Sequence, residues 1–134
     1  MNRWVLWIFR LLAAGTLLPV AYNKLSGGEM NRMLFEMLEM EPHGRIVIGL
    51  VEFTAALLLL SPQASVGSLL AVGVMLGAII AHVTVLGVKV GGDGGLLVMM
   101  LGVVLISSAI VLVARRRELP IIGSTFGDGP GNAP

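Results

Sequence analysis

The chain contains no cysteine. That excludes structural disulfides, thiol redox chemistry, cysteine-held iron–sulfur clusters and a cysteine-ligated zinc. Charge is also scarce: 13% of the 134 residues are Asp, Glu, Lys or Arg, about half the share of an average soluble domain. A soluble fold of this size needs a charged surface, and these residues are too few to make one. The net charge of +1 gives no basic field for nucleic acid, so no nucleic-acid partner is expected. Aromatic residues make up 5% of the chain, too few for a base-stacking platform. What the chain has in quantity is apolar residues, at 56%. Composition therefore points to an integral membrane protein whose first partner is the lipid bilayer.

A helix needs about 20 mostly apolar residues to cross a bilayer. Four stretches qualify, at about 4–24, 45–61, 66–88 and 95–114. The first carries Arg10 and Pro19. A secretory signal peptide is the competing reading there, but Arg10 breaks the apolar core and no small-x-small cleavage site follows. The second holds Glu52 and stops at Pro62. The third is uncharged, with His82 its most polar residue, and the fourth has only Ser107 and Ser108 as polar residues. A glycine-rich turn around Asp93 precedes that last span. The predicted fold is all-α: a four-transmembrane-helix antiparallel bundle, with residues 1–118 as a single membrane domain. The Pro- and Gly-rich residues 119–134 are expected to form a flexible tail. Gly73, Gly77 and Ala81 recur at four-residue spacing, which predicts close helix approach within the bundle; a homodimer face is the alternative.

Residues 26–44 lie between the first two spans. Met30, Met33, Leu34, Met37 and Leu38 recur at helical spacing, with Glu29, Arg32, Glu36 and Glu39 mainly between them. This predicts a short amphipathic surface helix, capped by Ser26 with Glu29 three residues on and ended by Pro42. The methionine stripe is read as packing rather than as a ligand surface.

Basic residues in short flanks set orientation. Arg115, Arg116 and Arg117 follow the last span, and Arg3 precedes the first, with Arg10 expected to snorkel toward the same side. Four spans put both termini on one side, so both are expected in the cytoplasm, with the protein in the inner membrane.

Ionisable residues inside spans are costly and count first as functional candidates. Glu52 and His82 lie at similar depth on adjacent antiparallel spans, which predicts a contact between them, directly or through one water. Tyr22, Asn23 and Lys24 end the first span, and Arg45 opens the second above Glu52. Lys89 and Asp93 fall in the outer turn. Polar groups thus gather in the outer half, over a nearly all-aliphatic inner half. Such a pocket suits a small amphipathic ligand, with Tyr22, Asn23, Lys24, Arg45, Glu52 and His82 as candidate ligand-binding residues. The same groups could instead form a buried network that fixes helix register. Nothing marks a catalytic residue or a metal site. The Gly-Gly-Asp-Gly-Gly run lacks the Lys-Ser/Thr of a phosphate loop, no serine sits in a nucleophile elbow, and a lone span histidine is not a two-histidine haem site. His43, in a Pro-His-Gly turn, is expected in solvent.

Several of these residues form a pattern. The first span ends in Tyr22-Asn23-Lys24-Leu25, Gly49-Leu-Val-Glu52-Phe opens an aliphatic run closed by Pro62, and Gly77-Ala78-Ile-Ile-Ala-His82 precedes a fourth apolar span. This resembles the DoxX-like family of small four-helix membrane proteins, over roughly residues 7–114. Lys24, Glu52 and His82 match the family pattern. The resemblance implies a binding, scaffold or assembly subunit with a protein partner. It also allows an accessory subunit of an oxidoreductase that binds a quinone, the one cofactor implied, with Glu52 and His82 exchanging protons. Proton-coupled movement of a small solute is a third reading. It requires an oligomer, because four spans without internal repeats are few for a transporter.

Overall fold

Asn2 opens the first helix: its side-chain oxygen accepts the Trp4 backbone N–H at 2.9 Å, satisfying one of the donors that every helix start leaves unpaired. The computed structural model describes residues 2–87 and 94–119. Helix α1 runs Arg3–Leu25, α2 Glu29–Met37, α3 His43–Leu59, α4 Ala64–Ala81 and α5 Leu96–Ala114. A π-helical turn, His82–Leu86, continues α4, and a short 3-10 turn, Arg116–Glu118, follows α5. Every regular element among the described residues is helical.

Three stretches are long and apolar enough to cross a membrane: Arg3–Leu25, Ala64–Leu86 and Leu96–Ala114. This is consistent with a membrane protein. Helix α3 is the exception to the expected four. Its 17 residues make a rod about 26 Å long, against a hydrocarbon core of about 30 Å.

Helices α1, α3, α4 and α5 close a ring, in which α1 and α4 each pack on α3 and α5. Small residues face inward. Ala13, Ala14, Ala21, Ala55, Ala56, Ala64 and Ala71 are almost completely buried, while Ile8, Leu11, Leu50, Leu57, Leu76, Ile80 and Ile106 are exposed. Small inward residues let the helix backbones approach closely, with Leu17, Leu59, Val104 and Val111 filling the space between them.

The glycines that permit close approach are not those of the expected ridge. A Cβ on Gly67 would lie 2.6 Å from the Leu59 backbone nitrogen, and one on Gly49 would lie 3.1 Å from Cβ of Lys24. Gly73 and Gly77 have nothing within 4 Å of that position. They face open space, because the four-residue spacing marks a face without saying what lies opposite.

The amphipathic segment forms the expected helix with different ends. Gly28, not Ser26, is the N-cap of α2, and no side chain caps it. Ser26 instead closes α1, its N–H donating to the Tyr22 carbonyl at 2.8 Å. Helix α2 stops before Glu39, which adopts φ 58°, a left-handed conformation that breaks a helix. Pro42 is the N-cap of α3 rather than the stop of α2. Leu34 and Phe35 are the buried residues of α2, and Met30, Met33, Met37 and Met40 are exposed. The methionine stripe therefore faces outward, opposite to the packing role expected.

At the other end of the bundle, Arg10 does not snorkel outward. It is buried. Its Nε donates to the Leu59 carbonyl at 2.6 Å and its Nη2 to the Ser61 carbonyl at 2.7 Å. Its guanidinium carbon also lies 3.7 Å from the centre of the Trp7 ring. The C-terminus of α3 has unpaired carbonyls, and Arg10 takes two of them. Arg115 joins the same turn, donating to the Pro62 carbonyl at 3.3 Å. The start of α1 and the end of α5 therefore share one end of the bundle. This half is also not wholly aliphatic as expected, since Ser65, Ser68, Ser107 and Ser108 are buried along with Arg10. Lys89, Asp93 and residues 120–134, the bulk of the expected tail, lie outside the described residues. Leu119, the last described residue, is buried.

Candidate functional site

Gly49 is the local condition for the site. Without a side chain there, the last turn of α1 settles directly on α3. Arg45, one turn earlier on α3, fixes that approach by donating through Nη1 to the Lys24 carbonyl. Its Nε is held by the Glu41 carboxylate at 2.8 Å. Side chains of a helix slant toward its N-terminus. On the antiparallel α1 and α3, this slant sends Lys24 inward and Glu52 up to meet it. Lys24 Nζ lies 3.1 Å from Glu52 Oε2, and the Glu52 side chain is 3% exposed. A carboxylate at that depth needs a cation beside it.

His82 enters from the other side of the bundle. It follows the last residue of α4 and begins the π-helical turn, which the Gly87 N–H closes on the His82 carbonyl at 2.8 Å. Nδ1 lies 2.8 Å from the Ala78 carbonyl. A carbonyl only accepts, so Nδ1 carries the proton, and in the neutral ring Nε2 is the acceptor. Nε2 is buried and has no hydrogen-bond partner.

Lys24, Glu52 and His82 line one cavity of about 590 Å³. Its remaining walls are mostly aliphatic and come from α1, α2, α3, α4 and α5, with Leu34 and Phe35 of α2 covering one side. Gly73, Gly77, Ala78 and Ala81 line it from α4, so the small residues of that ridge make room for a cavity rather than for a neighbouring helix. Asn31 of α2 and Thr84 of the π-helical turn add polar groups to the lining.

The expected contact between Glu52 and His82 is not a direct one. They face the same cavity, but the carboxylate pairs with Lys24 and the imidazole with the Ala78 carbonyl. Equal depth on neighbouring helices brought both to one cavity without making them partners. Of the six candidate ligand residues, three converge there. Tyr22 and Asn23 are exposed, Tyr22 at 70%, because at 100° per residue they occupy other faces of α1 than Lys24. Arg45 is buried behind the site as the brace of Lys24. His43 is exposed, as expected. Sequence reasoning missed Asn31, Thr84 and the cavity-lining glycines as contributors. The wide spacing of small residues along α4 was the available signal.

No protein-family model matches the chain, and no curated protein and no solved structure matches it.

Proposed function

We propose that this is a four-span protein of the inner membrane, with both termini cytoplasmic, that binds a small amphipathic ligand in the cavity beside Lys24, Glu52 and His82, as a binding, scaffold or assembly subunit. The fourth span is α3. Its outward residues Val47, Leu50, Phe53 and Leu57 are as exposed and apolar as those of the three longer helices, and its 17 residues, with Arg45 and Glu52 turned inward, are at the lower limit of length for a crossing. Arg3, Arg115, Arg116 and Arg117 at one end favour that end for the cytoplasm.

The observation that carries the ligand reading is the pairing of an apolar cavity of about 590 Å³ with a buried, unpartnered imidazole acceptor beside an ion pair. A cavity of that size falls within the usual range for small-molecule sites, about 300–1,000 Å³. Nε2 takes a hydrogen bond from a hydroxyl or N–H, Lys24 gives one to an oxygen, and the aliphatic walls hold an alkyl or ring body. The three residues on which the DoxX-like resemblance rests are also the charged or titratable groups of this lining, which supports reading them as one site. The quinone reading is graded by the same chemistry: a quinol hydroxyl can donate to Nε2, and a quinone carbonyl cannot.

A ten-carbon alkyl alcohol bearing a diazirine tests the site. Irradiation followed by peptide mapping should place the label on cavity-lining residues such as Val74, Ala78, Leu101 and Val104, and excess decylubiquinol should suppress it. Labelling confined to outward residues such as Ile106, unchanged by the variant Gly77→Leu, would refute a ligand cavity.

A further inference from the structure

Helices α3 and α4 form a fork. They meet at Gly67, where an added Cβ would lie 2.6 Å from the Leu59 backbone nitrogen and 2.9 Å from the Ala55 carbonyl oxygen. At 3.6 residues per turn, the face of α4 that carries Gly67 continues at Val74 and Ala78, and the face of α3 that carries Ala55 continues at Val51 and Ile48. All four line the cavity that holds Lys24, Glu52 and His82. The cavity therefore occupies the fork, with its narrow end at Gly67 and α2 across its wide end.

The side of the fork is open along one edge of α4. Gly73 and Gly77 line the cavity, are exposed, and have nothing within 4 Å of an added Cβ. Ile80 also lines the cavity while 63% exposed, so cavity and outer surface meet there. Gly73 and Gly77 are the tenth and fourteenth of the 23 residues of the stretch Ala64–Leu86. An opening at that level faces the hydrocarbon of a bilayer rather than water. The α2 end is the covered one, with Leu34 and Phe35 buried against the cavity.

The polar groups sit at the α2 end of this space. His82 is nine residues beyond Gly73, about 14 Å along the helix axis. Lys24 and Glu52 are the charged residues of the lining, and at 3.1 Å they neutralise each other. A charged headgroup would enter without a counter-ion. A hydroxyl meets both kinds of partner: it donates to the unpartnered Nε2 of His82 and accepts from the Lys24 ammonium, which has three protons to give.

We propose that the ligand is a neutral long-chain alcohol that enters sideways from the bilayer, its hydroxyl at His82 and Lys24 and its chain running along Gly77 to leave the fork beside Gly73. The head then lies at the α2 end and the chain points toward the middle of the membrane, as in a lipid of that leaflet. The proposal rests on the ligand cavity and the membrane placement argued above, and adds the class of ligand and its route.

Displacement of the ten-carbon diazirine alcohol from the cavity tests it, with the full chain in phosphatidylcholine nanodiscs. A decanol chain ends short of Gly73, and an octadecanol chain passes it. Octadecanol should displace the label at about the same mole fraction as decanol, because its extra length lies in the lipid. Octadecyl phosphate and octadecyltrimethylammonium, with charged heads, should each need on the order of tenfold more. Gly73→Leu fills the exit and should weaken octadecanol relative to decanol by about tenfold. If Gly73→Leu fails to fold, the length and headgroup series on the parent chain still decides. A sharp loss of displacement from decanol to octadecanol in the parent would mean a closed cavity and overturn the sideways exit. So would an unchanged ratio of the two alcohols in Gly73→Leu. Displacement by octadecyl phosphate as strong as by octadecanol would overturn the neutral head. In each of these cases a cavity label that decanol suppresses leaves the ligand cavity standing. A label absent from the cavity refutes that cavity and this proposal with it, so the two failures are told apart.

Discussion

Lys24 and Glu52 form a buried ion pair at 3.1 Å between the last turn of α1 and the middle of α3. Removing one partner strands the other charge in the bundle, at a cost of about 3–5 kcal/mol. Lys24→Met should therefore lower the melting temperature in detergent sharply. Lys24→Met/Glu52→Leu should recover most of the loss, because neither charge remains. A double variant as unstable as the single one would mean that the pair contributes more than mutual neutralisation. Alkyl-alcohol labelling of the cavity separates fold from function: the restored double variant should fold and bind weakly.

Gly77 and Gly67 sit on the same helix and should respond in opposite ways. Nothing lies within 4 Å of a Cβ on Gly77, whereas one on Gly67 would meet backbone at 2.6 Å. Gly77→Leu should leave the melting temperature nearly unchanged while it abolishes ligand labelling of the cavity. Gly67→Ala should destabilise by about 1–3 kcal/mol, because the α3–α4 hairpin must open to admit it. The reverse ranking in a thermal melt would mean that the ridge packs against another helix after all.

Arg10→Met should destabilise the chain although the substitution makes it more apolar. The guanidinium satisfies the carbonyls of Leu59 and Ser61, and each buried acceptor left unpaired costs about 1–3 kcal/mol. Chemical unfolding in mixed micelles measures the loss. Arg10→Lys should restore part of it, since one ammonium reaches the same carbonyls without the planar fork. A neutral Arg10→Met would show that water takes over both carbonyls.

With no native cysteine, topology can be read from single introduced thiols. In intact cells, a membrane-impermeant maleimide should label Met30→Cys and spare Pro120→Cys until the membrane is opened. The opposite pattern would reverse the orientation. Labelling of both from outside would put an even number of crossings between residues 30 and 120, where four spans require three, and end the four-span reading.

Much of the helical layout is legible in the sequence. Length and apolarity place α1, α4 with its π-helical turn, and α5 within a few residues of their observed ends, because a bilayer-length apolar run has no other stable form. The α2 periodicity is legible too, but its cap is not. Ser26 could serve either neighbouring helix, and the closing of α1 decided which.

The sequence by itself determined the chemical inventory: a cysteine-free, charge-poor, helical chain with Lys24, Glu52 and His82 on its apolar stretches and arginines clustered beyond the first and last of them. Tertiary structure decided how those groups are used. Helical rotation sent Tyr22 and Asn23 outward and Lys24 inward. The absence of a side chain at Gly49 let α1 rest on α3, and that contact made the Lys24–Glu52 pair. The ring of four helices left space in front of Gly73 and Gly77, which turned a packing motif into a cavity wall. The turn after α3 needed donors, and Arg10 was within reach. Spacing along one chain fixes the face on which a residue stands, but what stands opposite that face is set only when the helices pack.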